Sequence, residues 1–435
     1  MTAFKTYDIR GVYPSEINQE LAYKIGRATV LFLKCKKLVV GRDCRLSSPV
    51  LFKAFVNGVI DQGCNVIDIG LCSTPMLYFA SFKENAVMIT ASHNPKQYNG
   101  LKICKKGAIA LTYQTGLKKI EQLVKRNKFS NSKKGRVLKK HVLNDYVSFV
   151  NQFRKNISRL KIVIDAANGM AGYVVPHLFK SLPVELIPMY FELDGSFPNH
   201  EPNPLYSENT IALQKKVIQE KADLGIAYDG DCDRVFFIDE KGQRLSAEFS
   251  LLLIAEHLVK KNEKVVYSNN CSRIVPEFLQ QNKTRPIISS VGHSMVKQAM
   301  HKNNAIIGGE LSGHFYFKKN HFADSGDIAV ILMLNILSSS KSSLSKLTEK
   351  YKKYFTSEEI EIKVKDRDKT MKLVEQHYKR KAKKISHFYG LTIDLEDWWF
   401  ILRESQTEEV IKLIVESISK GLLDKKIEEI KSLIK

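Results

Sequence analysis

Residues 224–238, LGIAYDGDCDRVFFI, read as a buried strand, an acidic loop and a second strand. The uncharged run Leu224–Tyr228 stops where Asp229, Asp231 and Asp233 begin. On extended backbone, carboxylates at alternate positions point the same way. Without a cation their repulsion is costly, so a hard divalent ion is implied; three oxygens leave an Mg²⁺ sphere for phosphate and water to complete. Read as a calcium-binding EF-hand loop, the stretch puts Arg234 where a Gly is required, which counts against calcium. A solvated acidic turn is the plainer alternative; the apolar VFFI that follows ties the loop to a core and counts against it.

The same order of strand, then polar loop, occurs on either side. AVMITASHNP (86–95) ends a predicted strand Ala86–Thr90 in Ser92 and His93, and AIIGGELSGH (305–314) ends another in Glu310, Ser312 and His314. In open α/β sheets ligands bind outside the carboxyl ends of strands. Ser92 suits a nucleophile or phosphate carrier, with His93 orienting it or exchanging protons and Lys102 offering a movable cation. An Asn-Pro turn with a Ser/His hydrogen bond fits the same residues. Glu310, Ser312 and His314 share one side of their loop and suit sugar hydroxyls and proton transfer, against the alternative of a Gly-rich turn. A fourth stretch, Arg403-Glu-Ser-Gln-Thr407, lies between a predicted strand Trp398–Leu402 and a predicted amphipathic helix Val410–Gly421. Arg403, Ser405, Thr407 and a helix N-terminus make an anion cradle. Glu404, Glu408 and Glu409 crowd it with negative charge, and a simple helix cap is the alternative.

Around these loops, short β-branched runs alternate with helical ones. Leu38–Val40 and Asn65–Ile69 read as strands, separated by helices Glu20–Leu33 and Val50–Gln62. The pattern restarts at Lys161–Ala166, Val184–Met189 and Leu224–Tyr228, and again at Val265–Tyr267, Pro286–Ser289 and Ala305–Ile307. The last residues differ: Glu359–Val364, Leu391–Leu395 and Trp398–Leu402 read as strands of a small α+β unit. The expected fold class is α/β, three similar units with mixed sheets and a C-terminal α+β domain, with boundaries at 1–138, 139–242, 243–355 and 356–435.

The chain has 435 residues, 44% apolar and 26% charged, which is ordinary for a globular protein and too apolar for disorder. The longest apolar run, Ile328–Leu337, is half the length of a membrane span and carries Asn335. Cys35, Cys44, Cys64, Cys72, Cys104, Cys232 and Cys271 are scattered and never in CxxC spacing, which excludes a disulfide scaffold and a zinc finger and suits a cytoplasmic location. The net charge of +22 attracts polyanions and phosphorylated metabolites. Of the basic residues 53 are Lys, and no basic stripe is interleaved with aromatics, which disfavours nucleic acid as the main partner. The basic stretches Lys125–Lys140 and Lys379–Lys384 read as solvated linker or helix surface.

Taken in series, TASHNP, DGDCDR, GGELSGH and RESQTEEVIKL resemble the four signature loops of the α-D-phosphohexomutases, in the family's order. FKTYDIRG (4–11), GRDCRLSSP (41–49), STP (73–75), DAANGMAG (165–172) and VGHSMVK (291–297) extend the likeness over the whole chain. DGSFPNHEPNP (194–204), FADSGDIA (322–329) and Ser-Glu-Glu-Ile (357–360) are most similar to the bacterial phosphomannomutase branch. The resemblance implies the family's four-domain, heart-shaped architecture. It implies that Ser92 is a phosphoserine holding Mg²⁺ with Asp229, Asp231 and Asp233, and that Tyr7, Arg10 and Arg234 line the cleft. Lys102 and His314, with His93 and His293 near, are the implied proton-handling groups. Glu310 and Ser312 are implied to grip the sugar's 3- and 4-hydroxyls, and Arg403, Ser405, Thr407 and Lys412 the phosphate that is not reacting. The implied reaction interconverts mannose 6-phosphate and mannose 1-phosphate through a hexose 1,6-bisphosphate, feeding GDP-mannose and surface-polysaccharide synthesis; glucose phosphates are the alternative substrates. Sugar phosphates are the expected partners, with no nucleic acid, membrane or obligate protein partner. Departures from the family pattern are Glu409 in place of Pro, Lys412 in place of Arg, and Asn270 where a basic residue is usual nearby. A Lys is a point charge, not a planar fork, so weaker phosphate binding is expected. A homologue that binds without turnover is a further reading, against which the intact SHNP and DGDCD loops stand.

Overall fold

Four sheets follow one another along the chain. The computed structural model describes residues 3–130, 133–404 and 410–434. In the first sheet Ala86–Ile89, Lys37–Arg42, Asn65–Leu71 and Val137–Lys139 run parallel, and Tyr98–Lys105 and Ile9–Val12 extend it antiparallel. The second has the order Val235–Ile238, Leu224–Tyr228, Leu160–Asp165, Val184–Met189, with only the first pair antiparallel. The third repeats that plan with Phe315–Phe317, Ile307–Gly309, Lys264–Ser268 and Arg285–Ser289. In each unit a crossover helix links parallel strands, as parallel pairing requires. The predicted α/β class with mixed sheets is therefore the observed one.

Alternation along a strand divides the cores. On Lys37–Arg42, Leu38 and Val40 face helices Gln19–Leu33 and Ser48–Asp61, while Val39 faces the opposite way. That second face joins an apolar cluster that runs on through Ile164 and Val174 of the second unit to Leu251 and Ile331 of the third. The three α/β units thus share one core. Helix Gly326–Ser340 threads it, buried from Gly326 to Leu337. Asn335 is satisfied inside it, accepting from Lys155 N at 2.9 Å and donating to Phe153 O at 2.8 Å. Among the described residues no single helix is long and apolar enough to cross a membrane.

Two expectations need correction. Residues 125–140 are expected to be solvated linker or helix surface; they include Val137–Lys139, which is solvated but is an edge strand paired with Asn65–Leu71. All three residues are exposed, so no hydrophobic alternation marks it, and its Lys blunts the sheet edge. The amphipathic helix expected over Val410–Gly421 is instead the strand Val410–Ser417, followed by helix Lys420–Ile434. The strand pairs on one side with Trp398–Glu404 and on the other with Phe355–Thr356 and Ile360–Lys363. A central strand buried on both faces loses the period-2 signature, while Val410, Ile411, Ile414 and Val415 supply the β-branched residues that favour it. The fourth sheet is antiparallel throughout, with its own core around Phe400, Ile411 and Val415.

Candidate active site

Ser92 stands three residues beyond strand Ala86–Ile89 in the left-handed region, at φ 51°. Its backbone N–H donates to Thr90 Oγ1 at 2.9 Å. Arg45 fixes the rest of the loop: its guanidinium donates to the carbonyls of Ser92 (2.8 Å), Asn94 (2.5 Å), Pro95 (2.8 Å) and Tyr98 (3.1 Å). Arg45 is only 1% exposed, pairs with Asp43 and lies over the Phe197 ring. From the N-terminal segment Arg10 donates to Asn94 Oδ1 and pairs with Asp8. The non-helical twist at Ser92 aims its hydroxyl out of the loop, where it donates to Asp229 Oδ2 at 2.7 Å and lies 3.2 Å from His93 Nδ1.

The acidic loop meets Ser92 from the second unit. A Cβ on Gly230 would come within 2.7 Å of the Ser92 carbonyl, so only glycine lets the two loops approach this closely. The loop is not extended as the spacing suggested. Cys232 has φ 67°, and the three carboxylates converge because the chain folds around them. Ligand oxygens of Asp229, Asp231 and Asp233 lie within 4.8 Å of one another, all buried. Burial and the other two carboxylates push the Asp229 carboxyl well above its ordinary range. Burial acts the same way on Asp233, but Lys102 and His314 outweigh it and hold that carboxyl well below.

Lys102 is not the movable cation expected of it. It projects from the buried strand Tyr98–Lys105, with Nζ 2.7 Å from Asp231 and 2.6 Å from Asp233. Burial would depress its pKa, yet the two aspartates hold it above its ordinary value. An ammonium group thus fills a cation position among the carboxylates. Asp231 Oδ1 and Asp233 Oδ1 remain buried without a hydrogen-bond partner. Three hard oxygen donors, two orphaned atoms and a stand-in cation fit a divalent metal of the Mg²⁺ class.

The third unit closes the site from the opposite side. His314 Nε2 lies 3.4 Å from Asp233, and its Nδ1 lies 2.9 Å from Ser312 Oγ and 3.4 Å from Glu310. Glu310 accepts from Gly292 N at 2.7 Å and from the Tyr316 hydroxyl. Arg234 and His314 pair across the two loops as an isolated bridge. Tyr7 reaches over from the first unit, its hydroxyl donating to Val291 O at 3.3 Å and its ring edge-on to His293. Burial and the nearby Lys297 push the His293 imidazole well below its ordinary pKa; burial with Arg234 and Arg10 does the same to His93. Both shifts favour the neutral imidazole. Beside them Lys297 Nζ sits 3.1 Å from the fully buried Asp324, whose carboxylate clusters with Asp233 and His314.

Arg403 and Lys412 line a cleft of about 1620 Å³ that is also lined by His93 and Asn94. They face each other across neighbouring strands, and both are ion-paired to Glu359. Ser405 and Thr407 lie outside the described residues, as does Glu409. Residues from Val410 onward form a strand, so the helix expected to start there is not found among the described residues. The structure therefore gathers Ser92, His93, Lys102, the three aspartates, Arg234, Glu310, Ser312 and His314 into one cluster of contacts, with Tyr7, Arg10 and His293 beside them. Arg45, Thr74, Lys297 and Asp324 carried no assigned role in the sequence. Thr74 donates to Asp231 Oδ2 at 2.6 Å. All four sit within motifs visible in the chain (GRDCRLSSP, STP, VGHSMVK, FADSGDIA), but burial, not motif, is what reveals them.

Comparison with known proteins agrees with this layout. Family models described as phosphoglucomutase/phosphomannomutase, alpha/beta/alpha domains I, II and III, match residues 1–131, 141–242 and 247–354. The chain is 39% identical to a phosphomannomutase of Vibrio cholerae serotype O1, over 100% of this chain and 98% of that one. It is 37% identical to a protein of Xanthomonas campestris pv. campestris named for phosphohexose mutases, over 100% and 99%. The crystal structure of a phosphoglucomutase/phosphomannomutase family protein from Burkholderia thailandensis superposes with TM-score 0.92 at 29% identity, covering 99% of this chain and 96% of that one.

Proposed function

Since the chain belongs to the phosphoglucomutase/phosphomannomutase family, we propose that it is a phosphomannomutase that interconverts mannose 6-phosphate and mannose 1-phosphate through a phosphoserine and a hexose 1,6-bisphosphate. The observation that carries the reading is the Ser92 hydroxyl, held on a strained strand-end loop against Asp229 and next to His93, which lines the same cleft as Arg403 and Lys412. Asp229, Asp231 and Asp233, with a phosphate on Ser92, are the groups that would hold Mg²⁺. Bound there, the ion supplies positive charge against the transferring phosphoryl group.

The chain's own residues do the rest. Arg45 and Arg10 hold the Ser92 loop rigid, so that the phosphoryl group is presented in one geometry. Glu310 and Ser312 orient the sugar by its hydroxyls. In the first half-reaction the Ser92 O–P bond breaks and a sugar O–P bond forms, while His314 takes the proton of the attacking hydroxyl. Lys102, already charged and tied to two aspartates, is poorly placed as a base and acts as a fixed positive charge. In the second half the other phosphate returns to Ser92 Oγ and His314 gives the proton back. Arg403 and Lys412 hold whichever phosphate is not reacting, so one pair of cations serves both orientations. A cytoplasmic location is part of the same reading.

Mannose specificity is supported by the likeness to the Vibrio phosphomannomutase. A dual or glucose-preferring mutase is the second reading, favoured by the broader name of the Xanthomonas relative and by a sugar loop that addresses hydroxyls common to both hexoses. A coupled assay of purified protein on mannose 1-phosphate and glucose 1-phosphate, with a trace of hexose 1,6-bisphosphate, tests both. Higher kcat/KM for mannose 1-phosphate is expected. The reverse ratio establishes the second reading, and no turnover of either overturns the function.

A further inference from the structure

Arg403 and Lys412 occupy directly opposed positions on antiparallel strands Trp398–Glu404 and Val410–Ser417. Like charges in that relation repel and destabilise the sheet unless an anion lies between them. The anion present is Glu359, at the cleft wall. Its Oε2 is paired with Arg403 Nη2 and its Oε1 lies 2.9 Å from Lys412 Nζ, so each carboxylate oxygen is taken by a different cation. Lys412 has a second partner in Glu361, the residue opposite it on strand Ile360–Lys363, at 3.1 Å. Burial would lower the Lys412 pKa, yet the two glutamates hold it above its ordinary value. Arg403 Nε is buried with no hydrogen-bond partner among the described residues, so Glu359 uses only part of the guanidinium.

This is the arrangement a phosphate would adopt on the same two cations, with a carboxylate in its place. We propose that Glu359 is an internal stand-in for the non-reacting phosphate of the substrate, and that every binding and release event exchanges one anion for the other. The inference rests on the assignment of Arg403 and Lys412 as the phosphate clasp. It makes Glu359 a positioning residue that acts through the two cations and does not touch the reacting atoms. The consequence is twofold. Substrate binds more weakly than the bare cations would allow, because Glu359 competes. Release of the phosphate, which reorientation of a bisphosphate requires, is eased, because the cations are never left unpaired.

The two ion pairs are half-exposed, so the expected effects are modest. Glu359→Gln keeps the size and a carbonyl acceptor but removes the competing charge. Calorimetric titration of the full-length protein with inorganic phosphate is expected to show binding tightened by about 3–10-fold in the variant, less at high salt. In the mutase assay KM for the sugar phosphate is expected to fall by the same factor, with less added bisphosphate needed for full rate. In Glu359→Gln/Arg403→Ala the gain is expected to vanish, which separates the clasp from any other phosphate site. Unchanged or weaker phosphate binding in Glu359→Gln, or a gain that survives Arg403→Ala, overturns the proposal. If no sugar phosphate is turned over by any form, the function reading fails, while the phosphate titration still decides the role of Glu359. Melting temperatures of all forms identify a variant that has simply lost the fourth domain, and Glu359→Asp, which keeps the charge, is then expected to titrate like the wild type.

Discussion

At the scale of single residues, the chemistry depends on side chains that are legible only in part from their neighbours in sequence. Ser92 is legible as a strand-end serine, but its left-handed backbone and its bond to Asp229 are properties of the fold. Ser92→Ala is expected to lower turnover by at least about 10³-fold, since a group that acts as carrier has no substitute. Peptide mass spectrometry of the purified protein is expected to find phosphate on Ser92; wild-type turnover in the alanine variant would falsify the phosphoserine route. Arg45 is the converse case. Its sequence context, an Arg in a polar loop, suggests surface, yet it is buried and ties four carbonyls of the Ser92 loop together. Arg45→Ala leaves those carbonyls without their donor and Asp43 without its counter-charge, and breaking a buried pair of this kind costs about 3–5 kcal/mol. Arg45→Lys retains the charge without the fork and is expected to recover part of the stability but little of kcat/KM. Urea unfolding and steady-state kinetics on the two variants separate the contributions; a kcat/KM equal to wild type in Arg45→Lys overturns the positioning role.

At the scale of elements, a short strand is readable where its ends are marked, whatever the polarity of its faces. Leu224–Tyr228 is buried throughout yet is read to the residue because Asp223 and Asp229 bound it, and Val184–Met189 starts directly after Pro183. Val410–Ser417 was read as a helix because burial on both faces erases the alternation that marks a strand. Hydrogen exchange is expected to protect 398–404 and 410–417 together as one unit. Helix Ala247–Leu258 carries a pH-sensitive group in its first turn. Glu248 is buried; its carboxylate accepts from Ser272 N at 2.7 Å, and burial, reinforced by the charge of Glu416, pushes its pKa up to about 7. Between the ordinary carboxyl range and pH 7 the folded chain binds this proton more tightly than the unfolded one. Stability from this group is complete at low pH and is lost as pH rises through that window, by about 3 kcal/mol. Glu248→Gln is expected to remove that slope, so the variant gains on the wild type between pH 5 and pH 8. Thermal melts across that range check it, and parallel curves for both proteins rule it out.

At the scale of the whole molecule, the site exists because three units share one core and bring their loops to a common edge. The bond from Lys102 to Asp231 joins residues 129 apart and links the first unit to the second. In metal-free protein, Lys102→Ala removes the counter-charge that Asp231 and Asp233 share, and a loss of about 3–5 kcal/mol is expected. Mg²⁺ is then expected to raise the melting temperature of the variant more than that of the wild type, because ligand binding to the folded state adds to stability and the variant's site has no resident ammonium to displace. Equal shifts in the two proteins refute the idea that lysine and metal share the site. The sequence by itself determined the α/β class, the order of the units and the polar loops at strand ends, because each is encoded within about ten consecutive residues by periodicity and turn chemistry. The tertiary structure alone decided that the three aspartates converge through a folded loop, that Lys102 is locked among them, that Arg45 is buried, and that Glu359 bridges Arg403 and Lys412. Each of these depends on groups distant along the chain meeting in a desolvated place, where an unpaired charge is costly, and no local pattern records which distant partner will supply the pairing.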